Sequence, residues 1–380
     1  MPQRIKDVYG RISSFDGLLH ACRNVEKGHR YDDREVRFWN NLEENLHALS
    51  SRLRAMDFPY DQYSSFFVYE PKLRWILSSD YDTKLIQRSA YDVLNPLLCR
   101  TMIYDSTSCI EGRGNLHAAQ RVYKWVNYLA QSGRKWYYYK TDIWKFFYRI
   151  DHMILSEILE KKISDKRTLA LLLHYVNESS IPFGMPEWAD NPMNIPLDQM
   201  LWDCGISIGG GLSHLEGNLY LDGVDQLAKR TMGIKYYIRH ADDILFFGDD
   251  KSQMHEQFDV IKEFIQDKRK LRFNNKTALR PIDMGVEFVG YWIAPGTMRL
   301  RKSTTLRMKR QLRKAEEEYH NYAMTFDEVN ARVMSYKGMM KHCDCDALDQ
   351  SIFDRFLLTH EDGDDENERS EPIGAPADIY

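Results

Sequence analysis

Apolar residues recur at three- and four-residue steps from Asp32 to Met56, where Phe38, Trp39, Leu42, Leu46, Leu49 and Leu53 share one face among alternating charges. The spacing predicts a helical packing element within an N-terminal helical extension over 1–60. From Tyr63 the pattern changes: SSFFVYEPKLRWIL predicts a strand, a turn at Glu70-Pro71-Lys72 and a second strand, with Lys72 and Arg74 at the tip. Asp105 to Gly114 reads as a tight loop, His117 to Leu129 as a helix, WYYYKTDI from Trp136 as a strand, and Ser156 to Val176 as a helix. An extended loop follows from Ile181 to Gly205. After it come a hairpin at Tyr236 to Gly248, a helix at Gln253 to Asp267 and a β segment at Val286 to Ile293. From Leu300 to about Leu358 the pattern is helical, and the remaining EDGDDENERSEPIGAPADIY has a disordered composition.

The chain of 380 residues is 43% hydrophobic, enough for two or three packed subdomains. A net charge of −4 gives no global sign of nucleic-acid binding, so any basic surface must be local. One such surface lies between Arg299 and Lys314, with eight Lys or Arg and no acids. An ordinary solvated helix would mix in acids as i,i+4 partners. Their absence predicts a track for a nucleic-acid backbone, carried by Arg299, Arg301, Lys302, Arg307, Lys309 and Arg310. Six acids in the eight residues Glu361 to Glu368 form a solubilising tail. The six cysteines form no CxxC pair, and His342, Cys343 and Cys345 lack a fourth ligand, so neither a disulfide framework nor a zinc site is expected. A reducing cytoplasm fits this usage, and neither a leader nor a membrane span is read in the sequence.

The chemistry concentrates at KYYIRHADDILFFGDD, where Asp242 and Asp243 interrupt two apolar strand-like runs. Neighbouring side chains on a straight strand point apart, so these two converge only at a turn. Adjacent carboxylates repel unless a cation neutralises them, and magnesium favours such hard oxygen ligands. Asp142, ending WYYYKTDI, is the third acid that two bridged ions require.

Taken together, TDIWKFF, SIGGGLSHLEGNLYL, RHADDILFFG and VEFVGYWI resemble the ordered palm motifs of bacterial reverse transcriptases, particularly those of diversity-generating retroelements and group II introns. FFVYEPKLRWI resembles the fingers hairpin, IYDSTSCIEGRGNLHAA the loop after it, and RLRKSTTLRMKR with SYKGMMKH the thumb. The resemblance implies an α+β right hand: fingers over 61–135, an antiparallel palm sheet backed by helices over 136–298 with a fingers-side insertion around 160–210, a helical thumb over 299–358 and the tail over 359–380. It implies an RNA-directed DNA polymerase using two Mg2+ ions on Asp142, Asp242, Asp243 and the Ile143 carbonyl. Partners would be an RNA template, the DNA product and deoxynucleotides. It further implies that Lys72 and Arg74 clamp the triphosphate and that Phe147 excludes a ribose 2′-hydroxyl. Ile208 and Gly209 would line the nucleotide site, the glycines would admit a base pair, Ser213 would anchor the following helix, and Gly290 with Tyr291 would support the primer end.

Several positions depart from that pattern. His240 replaces a tyrosine and offers an imidazole able to titrate near neutrality or to bind the primer backbone. Ile208 stands where many relatives have glutamine, a change associated in the diversity-generating group with low fidelity. His214 and Glu216 place polar groups beside the expected template channel. These departures favour a specialised element, such as a phage-defence enzyme copying a dedicated non-coding RNA with an accessory protein. A diversity-generating or group II-like element and a catalytically silent RNA-binding scaffold are the alternatives.

Overall fold

The computed structural model describes residues 4–25, 33–59, 62–69, 72–177, 179–354, 356 and 358. Glu70 and Pro71 of the expected turn, and the acidic tail over 359–380, lie outside them.

The chain begins with four helices: α1 (Tyr9–Ile12), α2 (Phe15–Val25), α3 (Asp33–Asn40) and α4 (Leu42–Arg54). The single helix expected from Asp32 to Met56 is therefore two. At Asn41 the backbone leaves the helical region (φ −128°, ψ 41°), and the Asn45 amide then caps the freed Phe38 carbonyl at 3.0 Å. The break lets Phe38 pack edge-on against Tyr81, at 4.9 Å between centroids, while Leu46, Leu49 and Leu53 fill the core. Next, β1 (Ser64–Val68) and β2 (Arg74–Ser78) pair antiparallel from Ser64↔Ser78 to Val68↔Arg74, as the alternation predicts. Helix α5 (Tyr81–Leu98) was not evident from the pattern. Its N-terminus is capped by the Asp80 carboxylate, which accepts from the Thr83 amide.

Then follow α6 (Asn115–Ala130), β3 (Tyr137–Asp142), α7 (His152–Lys162) and α8 (Lys166–Asn177). The helix expected from Ser156 to Val176 is interrupted at Ile163, where the backbone is extended and bridges to Ile5. The cause is tertiary: the Asp165 carboxylate accepts from the Val8 and Tyr9 amides, both at 2.8 Å, and so satisfies the free donors of α1 rather than continuing a helix. The loop from Ile181 to Gly205 carries two short 3₁₀ turns, Pro192–Asn194 and Leu197–Gln199. Helix α9 (Ser213–Gln226) leads into the hairpin β4 (Tyr237–His240) and β5 (Asp243–Gly248), followed by α10 (Lys251–Arg269) and β6 (Ala278–Pro281). These strands form a sheet of order β4-β5-β3-β6, with β5 buried along its middle. A three-stranded antiparallel sheet follows, made of β7 (Val286–Phe288), β8 (Tyr291–Ala294) and β9 (Thr297–Leu300). The one β segment expected at Val286 to Ile293 is thus a hairpin, turning at Val289 and Gly290, both at positive φ. The helices α11 (Lys302–His320), α12 (Phe326–Met340) and α13 (Asp346–Phe353) complete the described residues.

The chain divides into two compact units. One comprises 1–114 and 139–279, the other 115–138 and 280–380, with the boundary running through β3 and β6. In the second unit α6 packs on β8, and the Tyr138 hydroxyl donates to the Gly285 carbonyl at 2.9 Å. Among the described residues no helix is long and apolar enough to cross a membrane.

Candidate active site at the β3 and β4–β5 strand ends

All three aspartates singled out in the sequence lie in the first unit. Asp142 ends β3 and Asp243 opens β5, while Ala241 and Asp242 form the two-residue turn closed by the His240↔Asp243 pair. Ala241 sits at φ 53°, the left-handed region that such tight hairpin turns require. The two strand ends are tied together because the Ile143 amide donates to the Asp242 carbonyl at 3.3 Å. Their carboxyls meet as well. Burial, followed by the Asp142 charge and a hydrogen bond to it, pushes the Asp242 carboxyl up to about 8. The Asp243 charge adds to the same repulsion. Among the described residues no three His, Cys, Asp or Glu side chains form a ready metal cluster.

The donor set nevertheless fits a hard cation. It is all oxygen, and a divalent ion would relieve the repulsion among these carboxylates. Asn274, which the sequence gave no reason to single out, donates its side-chain amide to Asp142 Oδ2 and its backbone amide to the Asp142 carbonyl. It thereby fixes the orientation of that carboxylate.

The residues expected around the nucleotide are placed as follows. Phe146 is buried and Phe147 half-buried, and the Phe147 ring meets His214 edge-on at 5.7 Å. A Cβ on Gly217 would lie 3.1 Å from the Phe146 ring and 3.5 Å from that of Phe147, so the pair of aromatics, Phe146 most closely, packs on α9 where that helix has no side chain. Lys72 and Arg74 are both exposed. The Tyr148 hydroxyl accepts from the Trp75 amide at 2.9 Å and so anchors β2 to the turn after β3. Lys145, in that turn at φ 50°, is held below the ordinary lysine range, chiefly by burial and further by nearby Lys72. It is a cation close to Asp142 in sequence that the motifs did not flag.

Other positions correct the expectations. The Ser213 hydroxyl caps no helix: Leu212 is the N-cap, and Ser213 Oγ donates to the Ser207 carbonyl at 2.6 Å. Gly209, at φ 112°, faces β2, where a Cβ would lie 3.3 Å from Ile76, and the Gly211 amide donates to Gln87. The close approach these glycines permit is therefore to the protein's own backbone and side chains. Ile208 packs on an apolar cluster that includes Trp75, Leu77 and Tyr148. His240 does not titrate near neutrality, because burial and the Arg239 charge push it down to about 4, and its Nδ1 is engaged by Thr107 Oγ1 at 3.0 Å. Glu216 belongs to the interior rather than to a channel. It is 6% exposed, borders a cavity of about 30 Å³, and is raised to about 7 by burial. His214 and Cys109 hydrogen-bond to one another, which raises the imidazole; the thiol is lowered, burial notwithstanding.

In the second unit the Gly290 carbonyl accepts from the Arg301 amide at 3.0 Å and from the Thr304 hydroxyl at 3.1 Å, and Tyr291 is buried. This places the β7–β8 turn at the start of α11. On α11 the residues Thr304, Met308, Leu312 and Ala315 form the buried stripe, and Lys302 and Arg310 are exposed, as is Arg299 on β9. Arg301, Arg307 and Lys309 are half-buried.

Residues 70–293 match the family model described as reverse transcriptase (RNA-dependent DNA polymerase), and the chain belongs to that family. Its mixed helices and antiparallel sheets are a reverse transcriptase fold. Solved structures similar to it include telomerase from Candida albicans in complex with a TWJ fragment of telomeric RNA, at 11% identity and a TM-score of 0.46 over 82% of this chain. Telomerase from Candida tropicalis, also in complex with a TWJ fragment of telomeric RNA, gives 13% identity and a TM-score of 0.45 over 81%. The chain spans 59% of the length of each of these telomerases. No curated protein matches it.

Proposed function

We propose that the chain is an RNA-directed DNA polymerase that adds deoxynucleotides to a primer by two-metal-ion catalysis. The observation that carries this reading is that β3, ending at Asp142, lies beside the hairpin whose tip holds Asp242 and Asp243, the two ends tied by the Ile143 amide donating to the Asp242 carbonyl at 3.3 Å. Asp142, Asp242, Asp243 and the Ile143 carbonyl would hold two Mg2+ ions, which when bound lower the cost of charge on the attacking hydroxyl and on the departing pyrophosphate. Asn274 keeps Asp142 turned toward the site. Lys72 and Arg74 bind the triphosphate as exposed cations, with Lys145 behind them. Phe147, seated on Gly217, closes the sugar side and favours deoxyribose.

The biological setting that fits this chain is the copying of a dedicated small RNA, as in an element acting against phage, within the cytoplasm and with an accessory protein. The apolar packing of Ile208 where an amide would bind the nucleotide relaxes selection of the incoming base and accords equally with a diversity-generating element. Sequencing the nucleic acid that copurifies with the chain tests the setting: one structured RNA is expected, and a variable-gene repeat would point to diversification instead. The chemistry is tested by Asp242→Asn, which removes one anionic ligand without changing shape. Incorporation of labelled deoxynucleotide should fall on the order of a thousandfold, a loss of about 4 kcal/mol of transition-state stabilisation. RNA binding by filter retention should be unchanged. Wild-type incorporation by this variant would end the metal-site reading.

A further inference from the structure

Arg239 is the largest fully buried side chain among the described residues, and it lies two positions before the Ala241–Asp242 turn. An arginine with 0% exposure persists only where its charge and its five donors are met. Here Asp225 of α9, also fully buried, takes Nη2 at 2.7 Å and Nε at 2.9 Å, a bidentate geometry reinforced by the Tyr237 hydroxyl at 2.8 Å. The remaining donors reach elsewhere. Nη1 donates to the Asn218 side chain at 3.1 Å and to the Ala241 carbonyl at 2.9 Å, and Nη2 also donates to Ser106 Oγ at 3.1 Å.

The backbone around Arg239 is clipped to the same neighbours. Its amide donates to the Asp105 carbonyl at 2.9 Å, its carbonyl accepts from the Thr107 amide at 3.0 Å, and the Asn218 side-chain Nδ2 donates to the Ser108 carbonyl at 2.8 Å. Three elements therefore converge on one guanidinium: the loop 105–108, helix α9 and the hairpin tip. The bond to Ala241 matters most, since that residue holds the left-handed conformation on which the turn depends.

The geometry points to Arg239 as a positioning residue that, locked by Asp225, fixes the Ala241 carbonyl and with it the direction in which Asp242 and Asp243 are presented. This rests on the reading of those aspartates as the catalytic acids. A guanidinium is required because only a planar fork reaches Asp225 and Ala241 at once, while the ammonium of a lysine would keep the charge and lose the second reach.

Arg239→Lys separates that role from mere stability. In hydrogen–deuterium exchange on the free protein, the amides of residues 240–243 should exchange roughly tenfold faster while those of α10 keep their protection. In single-turnover incorporation counted per active site, the rate constant should fall by about ten- to a hundredfold with little change in nucleotide KM. A variant with wild-type exchange at the turn and a wild-type rate per active site, altered only in melting temperature, would overturn the inference. Should Arg239→Lys fail to fold, Asn218→Ala removes one acceptor of Nη1 and leaves the ion pair; the same two readouts should shift in the same direction, and unchanged readouts would overturn the inference equally. Asp242→Asn assayed in parallel keeps the questions apart. Its activity decides the metal-site reading, whereas the exchange at 240–243 decides the positioning role whether or not the site is catalytic.

Discussion

The hairpin end of the first unit and helix α11 of the second are both rich in charge and use it in opposite ways. Around Arg239 and Asp225 the charges are fully buried and bonded to one another. On α11 the apolar stripe of Thr304, Met308, Leu312 and Ala315 is buried, and cations such as Lys302 and Arg310 are exposed. A charge inside the protein is costly alone and stabilising only as part of a complete set. A charge on a solvated helix contributes little to stability and stays within reach of a ligand. The first arrangement holds a fixed geometry, and the second provides a field.

The comparison breaks most easily at Asp225. Asp225→Asn keeps the shape of the pair and strands the Arg239 charge with no exposure to water. Stability by denaturant titration should fall by about 3–5 kcal/mol. A loss below about 1 kcal/mol would mean that the buried pair behaves like a surface one.

Glu216 sharpens the same contrast, being an interior acid without the partners that Arg239 enjoys. Burial holds its carboxyl at about 7, against an ordinary 4.5, beside a cavity that His152 also lines. His152 is itself pushed down by burial. Because the folded value of Glu216 lies above the unfolded one, its contribution is fully present below pH 4.5 and is lost as pH rises through 7. The loss should approach roughly 3 kcal/mol by alkaline pH. Glu216→Gln, neutral at every pH, should therefore be more stable than the wild type at pH 8.5 and similar to it near pH 5. Equal stability of the two proteins at both values, measured by denaturant titration, would show that the carboxyl is solvated after all.

What the sequence disclosed follows the same division. The helical character of α11 and the β4–β5 hairpin were legible because a solvated helix and a buried hairpin each print a regular period. Asp142 and Asp242 were legible because acids between apolar runs need a reason. Arg239 was not, since arginine in a strand reads as a surface residue until Asp225, on another element, is known to face it. Helix α5 was obscured because its buried face mixes Thr83, Gln87 and Ser89 with Leu85, Ile86 and Ala90, which blurs the apolar stripe. The breaks at Asn41 and Ile163 were hidden for a tertiary reason. Asp165, for example, serves the amides of Val8 and Tyr9, more than 150 positions away. Asn274 was likewise silent, because its role exists only once β3 has brought Asp142 beside it.

The mildest intervention is on α11, where binding should change with almost no change in stability. Lys302 and Arg310 are exposed, and neither shares in the buried stripe. Replacing both with glutamine should move the unfolding free energy by less than about 0.5 kcal/mol, the usual range for surface substitutions. Binding of a single-stranded RNA of arbitrary sequence should weaken, and the slope of log affinity against log salt should flatten by about 0.7 for each phosphate contact removed. The effect should be the same for RNAs of different sequence, because an exposed ammonium or guanidinium on this face meets the backbone rather than a base edge. A variant with the full wild-type salt slope would place the nucleic-acid track elsewhere, and the α11 charges would then be solvation alone.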